Sequence, residues 1–142
     1  MTAYDPDNIF ARILRGELPS ARIFETDEVV AFMDVMPQSA GHCLVVPKAA
    51  SRNLLDASDE TLRSLLPAAA RLARAAKQAF AADGVTISQF NERAAGQTVF
   101  HLHIHVIPRY EGQSLQPHSG GMADAARLAE QAQRIRDALE PI

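Results

Sequence analysis

The run His101-Leu102-His103-Ile104-His105 constrains this chain more than any other feature. In a β-strand successive side chains point to opposite faces. The three imidazoles then share one face, while Leu102, Ile104 and Val106 share the other and face the core. Three imidazoles on one face are costly to bury and add little as packing. The strand is therefore read as functional. Imidazole is a common zinc ligand, and it titrates near neutral pH, so metal binding and nucleophilic or acid–base catalysis are the two readings.

The preceding residues favour catalysis. Gly96 lets the backbone approach a ligand closely, exposed amides bind phosphate oxygens, and Gln97 and Thr98 add neutral donors. A phosphate cradle beside a nucleophile results. Neither a Gly-x-x-x-x-Gly-Lys nor a Gly-x-Gly-x-x-Gly loop occurs, so phosphate is not held in either of those ways. His42, after Gly41, reads on its own as a structural histidine.

Around this strand the pattern is α+β. Ile9, Phe10, Ile13 and Leu14 have helical spacing and Gly16 ends that helix. Strands are expected over 22–24, 29–35, 42–46, 85–90 and 100–107. A long helix opens at Ser58 with an apolar stripe of Leu62, Leu65, Leu66, Ala69, Leu72, Ala76 and Phe80. Pro67 is expected to kink or divide it. A final amphipathic helix spans 123–139. The prediction is an antiparallel sheet of about five strands packed on one long helix, plus a C-terminal helix.

The 142 residues read as one domain, with a core at about 8–109 and an extension at 110–142. The net charge of −3 offers no basic surface for nucleic acid or an anionic membrane. Residues 1–7 do not read as a signal peptide, no apolar run approaches the length of a membrane span, and the single cysteine, Cys43, excludes an internal disulfide. A cytoplasmic protein is expected, with no nucleic-acid or membrane partner.

Residues 96–107, Gly-Gln-Thr-Val-Phe-His-Leu-His-Ile-His-Val-Ile, resemble the signature of the histidine triad (HIT) superfamily, His-φ-His-φ-His-φ-φ with φ apolar. The resemblance extends from about Asn8 to Arg109, through Ile9-Phe10-x-x-Ile13, Ala31-Phe32-x-Asp34 and Gly41-His42-x-Leu-Val-Val-Pro47-Lys48, and is nearest the bacterial Hint-like branch. It implies that His103 attacks the α-phosphorus of a nucleotide and forms a covalent nucleotidyl-histidine. It further implies that His105 contacts the phosphate or leaving group, that the His101 carbonyl fixes the His103 tautomer, and that His42 supports the triad. By the same resemblance Gly96, Gln97 and Thr98 bind phosphate, Asp34 accepts hydrogen bonds from the ribose hydroxyls, and Ile9, Phe10, Ile13, Phe32 and Val35 wall the base. Asp34 as a turn cap near Pro37, and Phe10 and Phe32 as plain core, are the structural alternatives.

The implied function is release of a nucleoside monophosphate from a purine nucleotide derivative, a phosphoramidate or adenylate, by a homodimer that requires no cofactor. A Fhit-like dinucleoside polyphosphate hydrolase, a non-catalytic nucleotide-binding module and a zinc enzyme are the alternatives. Two departures from the pattern stand out. Asn8, Ala11 and Ala50 replace a Cys-x-x-Cys and a histidine that hold zinc in many bacterial relatives, so no structural zinc is expected. Phe90 replaces a ligand-contacting Asn or Gln; either Asn91, the preferred candidate, or Gln89 substitutes for it after a local shift, or the contact is absent.

Overall fold

Five antiparallel strands form one sheet in the order β1-β2-β3-β5-β4. The structure is a computed structural model and describes residues 3–118 and 121–140. The elements are α1 (Ile9–Leu14), β1 (Arg22–Glu25), β2 (Val29–Met33), β3 (Cys43–Pro47), α2 (Asp59–Ala79), β4 (Gly84–Ser88), β5 (Ile104–Arg109) and α3 (Ala125–Ala138). This is the α+β architecture expected from the sequence.

Every residue of β2 and β3 is buried, because both faces of the sheet are covered. Ala31, Met33, Cys43, Val45, Ile104 and Val106 pack against Leu65, Leu72 and Ala76 of α2 and Leu128 and Ile135 of α3. Val30, Phe32, Leu44 and Val46 point the other way, against Phe10 and Ile13 of α1. Cross-strand register aligns Phe32 with Leu44, Leu44 with His105, and His105 with Ser88. His105 therefore lies in the row that faces α1, opposite the main core.

Helix α2 begins where Ser58 Oγ accepts from the Thr61 amide at 3.1 Å, with Asp59 and Glu60 in the first turn, where negative charge complements the helix dipole. It is one continuous helix across Pro67, not two. Pro67 and Arg63 are both exposed, so water can satisfy the carbonyl that loses its amide partner.

Strand β5 starts at Ile104, four residues later than expected. Val45 pairs with Ile104, and the next turn of the ladder would need an amide from Pro47, which has none. The Pro47 carbonyl is instead taken by the His101 ring, at 2.8 Å from Nε2. His101 and His103 therefore sit on an extended lead-in, held by side-chain and loop bonds instead of a ladder.

Gly41 delivers His42 to the start of β3 at φ +87°, and a Cβ there would fall 2.7 Å from the Phe80 ring. Only glycine fits both demands. Among the described residues no helix is long and apolar enough to cross a membrane.

Candidate functional site

Backbone groups fix the hydrogen positions on the site's imidazoles. His103 Nδ1 lies 2.7 Å from the His101 carbonyl oxygen. A carbonyl only accepts, so the hydrogen is on Nδ1 and the Nε2 lone pair is free. The ring is 8 % exposed and stands edge-to-face with Phe10, centroids 4.8 Å apart. Burial lowers its pKa, opposed by the bond to His101. An unprotonated nitrogen on a largely buried ring is what a nucleophile needs.

The same reasoning applies to its neighbours. His101 donates from Nε2 to the Pro47 carbonyl and accepts the Tyr4 hydroxyl on Nδ1 at 2.6 Å. His42 accepts the Gln38 amide on Nδ1 at 3.0 Å, so its hydrogen is on Nε2. That Nε2–H donates to His105 Nδ1, 3.0 Å away. His105 consequently carries its own hydrogen on Nε2. The Gln38–His42–His105 chain thus makes His105 a neutral N–H donor beside the His103 ring, 5.0 Å between centroids.

Burial pushes His42 down to about 4 and His105 to about 3, with Asp34 opposing the shift at His42 and His103 and His42 adding to it at His105. Unfolded histidines take up protons near pH 6.5. Below that the unfolded chain binds more protons than the folded one, so stability present above pH 6.5 is lost as pH falls toward 4 and 3. With chelator present, the urea midpoint is expected to fall between pH 7 and pH 4.5; a midpoint that holds level would refute neutral burial of these rings.

Asp34, just past β2, is buried. Its Oδ1 accepts the Met36 amide at 2.8 Å, an Asx turn. Its Oδ2 lies 2.8 Å from His118 Nε2, 3.3 Å from His42 Nε2 and 3.8 Å from His105 Nδ1. His118 was not foreseen. It lies in the irregular stretch after β5, 84 residues from Asp34, and no periodicity links the two.

The expected phosphate cradle is only partly free. Gly96 has φ +101°, and Thr98 is exposed beside it. Gln97, however, is 2 % exposed and fully engaged. Its Nε2 donates to the Arg52 and Val99 carbonyls at 2.7 and 3.0 Å. Its Oε1 accepts from the Glu92 amide and Asn53 Nδ2 at 2.8 and 3.1 Å. Both donors and both acceptor positions are used. The assignment of its side chain to phosphate is corrected: it ties the 91–97 loop to residues 52–53. Arg52 reinforces this with two bonds to the Glu92 carboxylate, 2.8 and 2.9 Å. Sequence reasoning missed Arg52, Asn53 and Glu92, which are ordinary polar residues in any local window.

Asn91 is likewise not at the triad. Its Oδ1 accepts from the Leu54 amide and Gln89 Nε2, whereas the Phe90 ring lies 5.6 Å from His105. The strand expected over 85–90 ends at Ser88, and the chain beyond it sets the exposed Phe90 ring beside His105. Of the apolar wall, Phe10, Ile13 and Phe32 are buried, with Phe10 and Phe32 edge-to-face at 5.5 Å. Ile9 and Val35 present accessible surface at 53 % and 39 %.

The HIT domain family model matches residues 15–112. A Hit-like protein involved in cell-cycle regulation from Bartonella henselae, described with an unknown ligand, is 53 % identical; the match covers 96 % of this chain and all of that one, with TM-score 0.91. A Zn-bound histidine triad family protein from Mycobacterium smegmatis is 35 % identical, covering 93 % and 92 %, with TM-score 0.82. Adenosine 5'-monophosphoramidase HNT1 of Saccharomyces cerevisiae is 39 % identical over 106 residues, 75 % of this chain and 65 % of that protein.

The Zn-bound relative and the donor geometry together overturn the expectation that the chain has no zinc site. One donor atom each from Asp34, His42, His105 and His118 lies within 4.8 Å of the others. Zinc bonds of about 2.0–2.2 Å set ligand atoms roughly 3.4 Å apart, close to the separations around Asp34. The expectation failed because it considered only the positions of Asn8, Ala11 and Ala50, and the donors converge elsewhere.

Proposed function

This chain belongs to the HIT domain family, and on that footing we propose that it is a nucleotide hydrolase or nucleotidyl transferase working through His103. The observation that carries the reading is the bond from His103 Nδ1 to the His101 carbonyl, which leaves Nε2 as the sole nucleophilic atom. Nε2 attacks the α-phosphorus, and the bond from phosphorus to the leaving group breaks. The product is a nucleotidyl-histidine whose Nδ1–H still meets the His101 carbonyl. His105 donates its Nε2–H to a phosphate oxygen or the leaving group as charge develops. Water then attacks the same phosphorus and gives up a proton that replaces the one His105 passed to the leaving group, the P–Nε2 bond breaks, and the nucleoside monophosphate departs with both histidines restored.

Purine nucleoside phosphoramidates or adenylates are the proposed substrates, in line with the name of the yeast relative. Asp34 is assigned to the ribose hydroxyls and Phe10, Ile9 and Val35 to the base. The test compares turnover of adenosine 5'-phosphoramidate and a diadenosine polyphosphate, with chelator present. Release of AMP from the phosphoramidate supports the reading. Preference for the dinucleotide moves it to the Fhit-like alternative, and binding without turnover of either compound refutes it.

A homodimer completes the proposal. Strand β4 is a sheet edge, with unpaired backbone groups along it. Beside it Ile87, Leu54, Leu62 and Leu66 border an apolar groove of about 330 Å³, and Ile87 is 45 % exposed. A second copy pairing edge to edge covers both. Ile87→Lys is expected to convert a dimer to a monomer by sedimentation; an unchanged mass places the interface elsewhere.

A further inference from the structure

We propose that Asp34, His105 and His118 form a divalent transition-metal site whose occupation excludes the nucleotide, so that His118 makes access to the active site metal-dependent. The exclusion rests on the assignment of Asp34 and His105 to the nucleotide; the metal site itself does not.

Four donors converge here, but the hydrogen-bond pattern distinguishes among them. His42 Nδ1 accepts the Gln38 amide at 3.0 Å. Its hydrogen is therefore on Nε2, the atom that faces the cluster, and that atom has no lone pair for a metal. His105 is the reverse case. Its Nδ1 faces the cluster and accepts from His42, so its lone pair is already directed inward. His118 Nε2 is 2.8 Å from Asp34 Oδ2, and its side chain is about two-fifths exposed. It can move its hydrogen to Nδ1 through solvent and offer Nε2 to an ion. The set is thus one carboxylate oxygen and two imidazole nitrogens, with further positions open to water. That donor chemistry suits zinc, cobalt or nickel over calcium or magnesium.

His42 takes the outer position. Once an ion holds the His105 lone pair, the His42 Nε2–H turns to Asp34 Oδ2, 3.3 Å away. Ligating carboxylates are commonly hydrogen-bonded in this way. The His118 ring already lies 5.6 Å from the rings of both His42 and His105, so ligation needs little movement.

The consequence is competition. With one lone pair on the ion and the other accepting from His42, Asp34 Oδ2 has no acceptor position left for a ribose hydroxyl, and His118 stands over both Asp34 and His105. His118 itself takes no part in the proposed phosphoryl chemistry.

The test titrates chelator-treated, dialysed protein with Co²⁺, reading d–d absorption and calorimetry, with and without saturating AMP. Wild type is expected to bind one ion. His118→Ala is expected to bind at least about 100-fold more weakly while its metal-free turnover stays at the wild-type level. His42→Gln, checked for native circular dichroism, is expected to keep the cobalt spectrum. AMP and Co²⁺ are each expected to weaken the other by the same factor, as linkage requires. No cobalt binding by wild type, equal binding by His118→Ala, or simultaneous binding with AMP at unchanged affinity would each overturn the proposal. Loss of the nucleotide reading alone would show as absent turnover with the cobalt spectrum and its His118 dependence intact.

Discussion

His103→Ala is expected to lower turnover of adenosine 5'-phosphoramidate by about 10⁴-fold or more, the order of loss when a covalent nucleophile is deleted. Among the described residues the ring's only polar bond is to the His101 carbonyl. Its removal leaves that carbonyl oxygen without its partner but breaks no element of the sheet. Folding should survive, and AMP affinity should change far less than kcat. A merely electrostatic histidine would behave differently, because neighbouring donors would retain most of the rate. A variant within tenfold of wild type would therefore place the nucleophile elsewhere.

Gln97→Leu carries the largest stability effect outside the apolar core. The substitution keeps volume but removes the partner of four groups, Asn53 Nδ2 and the Arg52 carbonyl in buried bonds and the Glu92 amide and Val99 carbonyl in part-buried ones. Each unsatisfied buried group costs about 1–3 kcal/mol, and some will find water as the loop relaxes. A loss of roughly 3–5 kcal/mol is expected in urea unfolding, a large part of the stability of a domain this size. Thr98→Val, at the exposed neighbouring position, should stay within about 0.5 kcal/mol. If Gln97→Leu instead left the midpoint unchanged and raised only KM, the side chain would be a phosphate ligand after all.

These two residues show where the sequence was legible. The alternation of His101 to His105 with Leu102, Ile104 and Val106 separated the site face from the core face, because strand geometry has a period of two that local sequence records. The α2 stripe was legible for the same kind of reason, at a period of 3.6. The polar contacts were not. Gln97 was recognised as important, yet its role depends on Asn53 and Arg52, more than forty residues away in sequence. His118 was overlooked because the chain around it has no regular pattern, and only the fold brings it to Asp34. Pro47 could have warned that the β3–β5 ladder stops early, since a proline cannot donate to it. The zinc expectation shows a different failure: substitution of one known ligand set says nothing about donors that converge from separate loops.

The measurement that tests the central claim most directly is rapid-quench mass spectrometry of the wild-type protein mixed with adenosine 5'-phosphoramidate under chelator. The account predicts an acid-labile adenylyl group on the peptide containing His103, forming and decaying at rates that match turnover, and absent from His103→Ala. Turnover with no adduct at any time, or an adduct on His101 or His105 in its place, would contradict it.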